Sequence, residues 1–414
     1  MSQQIKQVLI SGGGTGGHIH PALAIADEIK ERHPHAGIHF VGALGRMEMD
    51  KVPASGYPIT GLWISGLDRS LTSLRNLTFP LKLMSSLWRA RQLLRKHRPD
   101  VVIGVGGFAS GPLLDQAVRM GIPTLIQEQN SFPGITNRLL AKRVDCICAG
   151  MPGMERWFPA NRIVETGNPL RGHVRDLAGG GESHADRHGS ETHIQEPSRG
   201  AASQGTASRG AASQGTASQG AASHWGLSEN IPLVFVMGGS LGAQSMNDAV
   251  KALISAQPQS SERGFQLLWQ CGSRHEKECQ EWLSGQACDG VVCTGFIDRM
   301  DLAYRAAHVI ASRAGAMSVA ELALVGKPTI LVPSPHVAED HQTFNARSLT
   351  DRGAAVLLPD VDVKSKLGTT LASLLTDPQR CRAMGQAMKE AARPWAAKAV
   401  VDEVQRLVFN ASRQ

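Results

Sequence analysis

Twice in this chain an apolar run passes straight into a glycine-rich turn and then into residues spaced for a helix. No other feature constrains the fold as much. Near the start, Gln7-Val8-Leu9-Ile10 reads as a buried strand, Ser11-Gly12-Gly13-Gly14-Thr15-Gly16-Gly17-His18 as the turn, and Ala22, Ile25, Ala26 and Ile29 share one helix face. In the second half, Pro232 to Met237 leads into Gly238-Gly239-Ser240-Leu241-Gly242-Ala243. Such a turn exposes backbone N–H groups and the positive end of a helix dipole, which suits an anion; it also serves simply to pack a helix on a sheet. Two of them heading two halves predict an α/β protein of two Rossmann-like domains facing across a cleft. Gly12, Gly14 and Gly17 satisfy G-x-G-x-x-G, yet the second strand, Ile38 to Gly42, ends without the acidic residue that a dinucleotide ribose needs. A nicotinamide cofactor is therefore not expected.

Length supports the division, since 414 residues predict two domains. A formal net charge of +7 favours anionic partners: a membrane surface, nucleic acid or phosphates. The seven cysteines include no C-x-x-C pair, which argues against a zinc ribbon, and their odd number predicts reduced thiols inside a cell. No signal-peptide pattern and no apolar run of membrane-spanning length is present, so a soluble intracellular chain is expected.

The two halves are separated by a change of composition. RGAASQGTAS runs from Arg199 to Ser208 and repeats from Arg209 to Ser218, with no large apolar residue to bury. The predicted division is 1–172 as the first domain, 173–228 as a disordered linker insertion, and 229–414 as the second domain with C-terminal helices. Within the first domain, residues 45–50 read as a polar loop. From Arg69 to Arg98 there is no acid; eight lysines and arginines interleave with Leu71, Leu74, Leu77, Phe79, Leu81, Leu83, Met84, Leu87 and Trp88. That pattern fits either a helix packed on the sheet or a segment seeking an anionic membrane surface.

Candidate site residues stand where strands end. Glu128-Gln129-Asn130 follows the strand Thr124 to Gln127 and is either a ligand contact or a turn cap. In the second half, Ser240 can donate to a phosphate. Ala314-Gly315-Ala316 lets a ligand approach a helix start, and Glu321 in that helix is placed either for ribose hydroxyls or as a solvated acid. Gln342 and Asn345, at i and i+3, suit the hydroxyls of a sugar or lie on the surface. His336, Glu339, Asp340 and His341 match no zinc-protease spacing, and no metal is expected.

Together these stretches resemble the MurG family of N-acetylglucosaminyltransferases. Gly13-Gly14-Thr15-Gly16-Gly17-His18, Gly106-Gly107-Phe108-Ala109-Ser110-Gly111-Pro112 and Glu128-Gln129-Asn130 match its first half in order. Gly238 to Ala243, Gly295-Phe296-Ile297-Asp298, Ser312 to Glu321 and Asp340-His341-Gln342 to Asn345 match its second. The resemblance covers nearly the whole chain outside the repeats. It implies a GT-B fold and an inverting transfer of GlcNAc from UDP-GlcNAc to lipid I, giving lipid II and UDP in peptidoglycan synthesis, with a bearing on cell shape and division. Another GT-B glycolipid transferase and a UDP-GlcNAc 2-epimerase are the alternatives. The resemblance places uracil on the backbone of Ile297, ribose on Glu321, diphosphate on Ser240 and sugar on Gln342 and Asn345. Thr15, Gly16, Gly17, Asn130, Arg171 and the stretch Ala316, Met317, Ser318, Val319 and Ala320 map onto substrate-contact positions. It implies no cofactor and no nucleic acid. The Arg69–Arg98 segment would seat the protein peripherally on the cytoplasmic face of the inner membrane, where cell-wall synthesis and division proteins are candidate partners.

Two departures stand out: Phe108 where the family often has tyrosine, and the repeat insertion. The chemistry needs a base for the acceptor hydroxyl, and His18 is the candidate, since imidazole titrates near neutral pH. Helix-end N–H groups would stabilise the leaving diphosphate in place of a metal.

Overall fold

The computed structural model describes residues 4–66, 78–170, 220–239, 241–337 and 340–413. The 199–218 repeats, Arg171, Ser240, Glu339 and the start of the basic segment lie outside them.

The first lobe holds the strands β1 (Gln7–Gly12), β2 (Gly37–Ala43), β3 (Ile59–Leu62), β4 (Val101–Gly106), β5 (Thr124–Glu128), β6 (Cys146–Ala149) and β7 (Ile163–Glu165). Its helices are α1 (Gly16–Arg32), α2 (Glu48–Ala54), α3 (Phe79–His97), α4 (Ser110–Arg119) and α5 (Ile135–Leu140). The second lobe holds β8 (Leu233–Met237), β9 (Gln266–Gln270), β10 (Val291–Thr294), β11 (Val309–Arg313), β12 (Thr329–Val332) and β13 (Val356–Leu357). Between and after these run α6 (Gln244–Ala256), α7 (Ser260–Arg263), α8 (Glu276–Ser284), α9 (Met300–Ala306), α10 (Ala316–Val325), α11 (His341–Thr350), α12 (Val363–Leu375), α13 (Pro378–Ala391) and α14 (Ala396–Ala411).

Both sheets are parallel, ordered β3-β2-β1-β4-β5-β6-β7 and β10-β9-β8-β11-β12-β13. Central strands are buried along their length, as parallel strands covered by helices on both faces must be; β4 and β8 have no exposed residue. Chain order reverses between β1 and β4 and again between β8 and β11. A crevice opens beyond the strand ends at such a reversal. Both glycine turns follow the first strand at these points.

Two elements differ from the sequence reading. Residues 48–54 form a helix, not a loop, and this carries Glu48 into the interior. Helix α14, which the sequence groups with the second lobe, packs its Val400, Val401, Val404, Leu407 and Val408 into the core formed by β1, β4 and α1.

Helix α3 has two apolar faces. Ala90, Leu93 and Leu94 point into the core. Leu81, Met84 and Trp88 are 64–69% exposed on the other side, among Lys82, Arg89, Arg91, Arg95 and Lys96. Among the described residues no helix is long and apolar enough to cross a membrane.

Candidate active site between the two lobes

The first glycine turn is built around two side chains. Thr15, extended and exposed, caps α1, and its carbonyl accepts from the N–H groups of His18 and Ile19. Gly16 and Gly17 form the first helical residues. Three residues into the helix, His18 is carried back over the turn, and its Nδ1 lies 2.9 Å from the Gly13 carbonyl oxygen. A carbonyl can only accept, so Nδ1 carries the proton and Nε2 keeps its lone pair. Burial holds the His18 imidazole below the ordinary range; the carboxylates of Glu128 and Glu48 and the Gly13 carbonyl work against that shift, and His341 of the facing lobe adds to it.

The space for this ring is made by the second glycine pair. Gly106 has φ of +102°, and a Cβ there would stand 2.8 Å from His18 Nε2. Gly107, at φ +90°, brings its backbone against Gly13, where a Cβ would meet the carbonyl oxygen at 2.6 Å. Neither position admits a side chain. Phe108, next in line, is partly exposed, with the Arg46 guanidinium 5.7 Å over its ring.

Glu128 ends β5 fully buried. It accepts from the N–H of Asn130 (3.0 Å), the N–H of Gly134 (3.2 Å) and Asn137 Nδ2 (2.8 Å), and so shapes the whole loop after the strand. Asn130 is thereby turned toward the second lobe. There Asn345, fully buried on α11, accepts the Ser131 N–H at 3.0 Å and donates to the Ala314 carbonyl (3.2 Å) and to Asn130 Oδ1 (3.3 Å). The structure thus brings Asn130 and Asn345 together as a bridge between lobes.

In the second lobe a cleft of about 670 Å³ opens at the ends of β8, β11 and β12. Its walls include Gly239, Ala243, Arg313, Ser318, His336 and Gln342. Gly242, with φ +81°, sits against the Cys271 carbonyl, where a Cβ would be 2.1 Å away; this presses the turn onto the next strand end and aims α6 at the cleft. Sequence reasoning did not single out Arg313 as a site residue. Its guanidinium donates to Asp360 Oδ1 (2.5 Å), Ser245 Oγ (2.7 Å) and the Val332 carbonyl (3.1 Å), fixing a cation at the cleft wall. Its place in Ser312-Arg313-Ala314-Gly315, just before a glycine helix start, was the available signal.

Helix geometry spreads the Ala316–Glu321 stretch over several faces. Ser318 borders the cleft, whereas Val319 and Ala320 line a small cavity of about 90 Å³ between the lobes, with Asn168 and Leu170. Ala316 belongs to the buried core, and Met317 packs against Leu170 and Leu324. Glu321 accepts from the Tyr304 hydroxyl at 3.1 Å, and burial pushes its carboxyl up to about 7. Ile297 is buried in the same cluster as Tyr304. Gln342 reaches the cleft and accepts from the Ser334 N–H at 2.9 Å. Among the described residues no group of three or more histidines, cysteines or carboxylates is arranged to hold a metal.

Residues 8–149 match the glycosyltransferase family 28 N-terminal domain and residues 233–400 its C-terminal domain. The chain is 45% identical over 404 residues, 98% of each chain, to the UDP-N-acetylglucosamine–N-acetylmuramyl-(pentapeptide) pyrophosphoryl-undecaprenol N-acetylglucosamine transferase of Christiangramia forsetii. It is 42% identical to the enzyme of the same name from Cytophaga hutchinsonii, over 97% of each chain. Among solved structures, MurG of Acinetobacter baumannii superposes with a TM-score of 0.69 at 25% identity, covering 97% of this chain and 99% of that one. A UDP-N-acetylglucosamine 2-epimerase shares the fold at a TM-score of 0.60 and 14% identity, over 100% of this chain and 97% of that one. With both domain models matched and relatives alike over almost its whole length, the chain belongs to glycosyltransferase family 28 and, within it, to the MurG family of N-acetylglucosamine transferases.

Proposed function

We propose that His18 is the general base of a single inverting displacement in which the second lobe holds UDP-GlcNAc and the first presents lipid I. The overall reaction follows from the family: the chain is a hexosyltransferase of peptidoglycan synthesis, joining GlcNAc to MurNAc of lipid I and releasing UDP. The observation that carries the assignment of the base is the Nδ1 contact with Gly13, which leaves Nε2 as the proton acceptor. The acceptor's C4 hydroxyl attacks the anomeric carbon while its proton passes to Nε2, and the bond to the diphosphate breaks on the opposite face. Negative charge growing on the departing UDP is met by the N–H groups at the start of α6, by Ser240 and by Arg313. Uracil rests on the backbone of Ile297, ribose on Glu321 and the sugar on Gln342, with Thr15, Gly16 and Asn130 as further donor contacts from the first lobe.

Leu81, Met84 and Trp88 of α3, ringed by cations, support peripheral docking on an anionic bilayer, which would bring the first lobe to its lipid-borne substrate. The test is transfer of labelled GlcNAc to a lipid I analogue. His18→Ala should lower kcat about 10²- to 10⁴-fold with little change in KM for UDP-GlcNAc; wild-type turnover in the variant would remove His18 as base.

A further inference from the structure

The peptide bond between Gly13 and Gly14 is hydrogen-bonded at both ends. Its carbonyl oxygen accepts from His18 Nδ1 at 2.9 Å, and its N–H donates to Glu48 Oε2 at 2.7 Å. The other Glu48 oxygen accepts the Ala43 N–H at 3.0 Å. Glu48 is 1% exposed, at the first position of α2. Its place is cut out of the backbone: a Cβ on Gly13 would lie 2.2 Å from Glu48 Oε1, and one on Gly42 would lie 2.6 Å from Glu48 Cγ. Two glycines of the first lobe therefore accommodate a carboxylate of the chain itself, not a ligand phosphate.

We propose that Glu48 is a positioning residue for glycosyl transfer, acting on His18 through the intervening amide so that carboxylate, peptide and imidazole form one polarised chain ending at Nε2. This rests on the reading of His18 as the base. A carboxylate that accepts an amide N–H draws the amide's dipole toward itself and makes the carbonyl oxygen a stronger acceptor. That oxygen then grips Nδ1–H more firmly, fixes the tautomer, and stabilises the imidazolium formed when Nε2 receives the acceptor's proton. No proton travels along the chain: Nδ1 keeps its own, Glu48 stays ionised, and the proton gained at Nε2 leaves later to solvent.

Among the described residues, three charged or titratable groups face His18: Glu48 from α2, Glu128 from β5 and His341 from α11. Glu128 is committed to Asn130, Gly134 and Asn137, so it reaches His18 through its field. Glu48 is the carboxylate joined to His18 by an unbroken run of hydrogen bonds.

The test follows His18 itself by ¹⁵N NMR titration of the full-length protein, with no substrate added. In wild type the resonances should report the Nδ1–H tautomer. In Glu48→Gln, which keeps the shape and loses the charge, the His18 midpoint should fall by about one pH unit. The acid limb of kcat should move down with it, and kcat at neutral pH should drop about tenfold, with KM for UDP-GlcNAc unchanged. An Nε2–H tautomer in wild type overturns the proposal without any variant. So does a Glu48→Gln protein whose His18 titrates at the wild-type midpoint, or one that loses activity and melting temperature together with no displacement of the limb. Should His18→Ala turn over normally, the base assignment fails, while the titration still decides whether Glu48 tunes His18.

Discussion

At the scale of single residues, the site is defined by how each polar atom is spent. Glu321 has its carboxyl raised to about 7 by burial, opposed by the Tyr304 hydroxyl. An ionised carboxylate accepts ribose hydroxyls; a protonated one accepts them less well. Affinity for UDP-GlcNAc, whose diphosphate does not titrate in this range, should therefore rise several-fold between pH 6 and pH 8. Calorimetry would measure it, and Glu321→Gln should flatten the dependence. The stability of the unliganded protein runs the other way. A carboxyl raised on folding favours the folded state below its unfolded value of 4.5, and that contribution is lost as pH climbs from 4.5 through about 7. Asn345 makes a different prediction. Its amide serves Ser131, Ala314 and Asn130, so Asn345→Ala should lower stability by about 1–3 kcal/mol in the absence of any ligand, read by denaturant melts. Glu321 and Gln342 could be picked out from the chain as candidates, because each is a polar residue in the first turns of a helix that follows an apolar strand. Glu48 could not. Nothing in Arg46-Met47-Glu48-Met49 marks an acid that folds inward, since its partners are backbone N–H groups thirty-four and five residues away.

Among the elements, α3 shows how one pattern serves two surfaces. Its sequence was open to two readings, packing on the sheet or seeking a membrane. The helix packs through Ala90, Leu93 and Leu94, and it also leaves Leu81, Met84 and Trp88 outside. Replacing these three by serine should cut binding to phosphatidylglycerol vesicles severalfold in a sedimentation assay. Because the side chains are already exposed, the melting temperature should change little. The strands were legible since a fully apolar run between glycine turns has few other uses in a parallel sheet. Helix α2 was not, because seven residues containing Lys51 and Pro53 show too little periodicity to distinguish a short helix from a polar loop.

For the molecule as a whole, the two lobes meet through side chains as well as through the chain. Arg156 of the first lobe donates to the Ser131 carbonyl at 3.3 Å and lies 5.6 Å over the ring of Phe344, beside Asn345 in the second. Helix α14 crosses back to complete the first lobe's core. Val404→Asp would place a carboxylate among Val8, Ile10 and Val101 and should cost about 3–5 kcal/mol, enough to leave the protein largely insoluble on expression, as a solubility assay would show. Composition revealed two halves, and the match of motifs revealed their order. The return of the last helix was hidden, because a valine stripe states that a face is covered and not by which sheet.

That return has a mechanical consequence. Helix α14 shares one core with β1, and the second lobe runs into it through the short segment 392–395. A body held by a short covalent segment and by the Asn130–Asn345 bridge can rock against its neighbour without drifting from it. Release of spent nucleotide would then need only a small rocking of the second lobe about that connection.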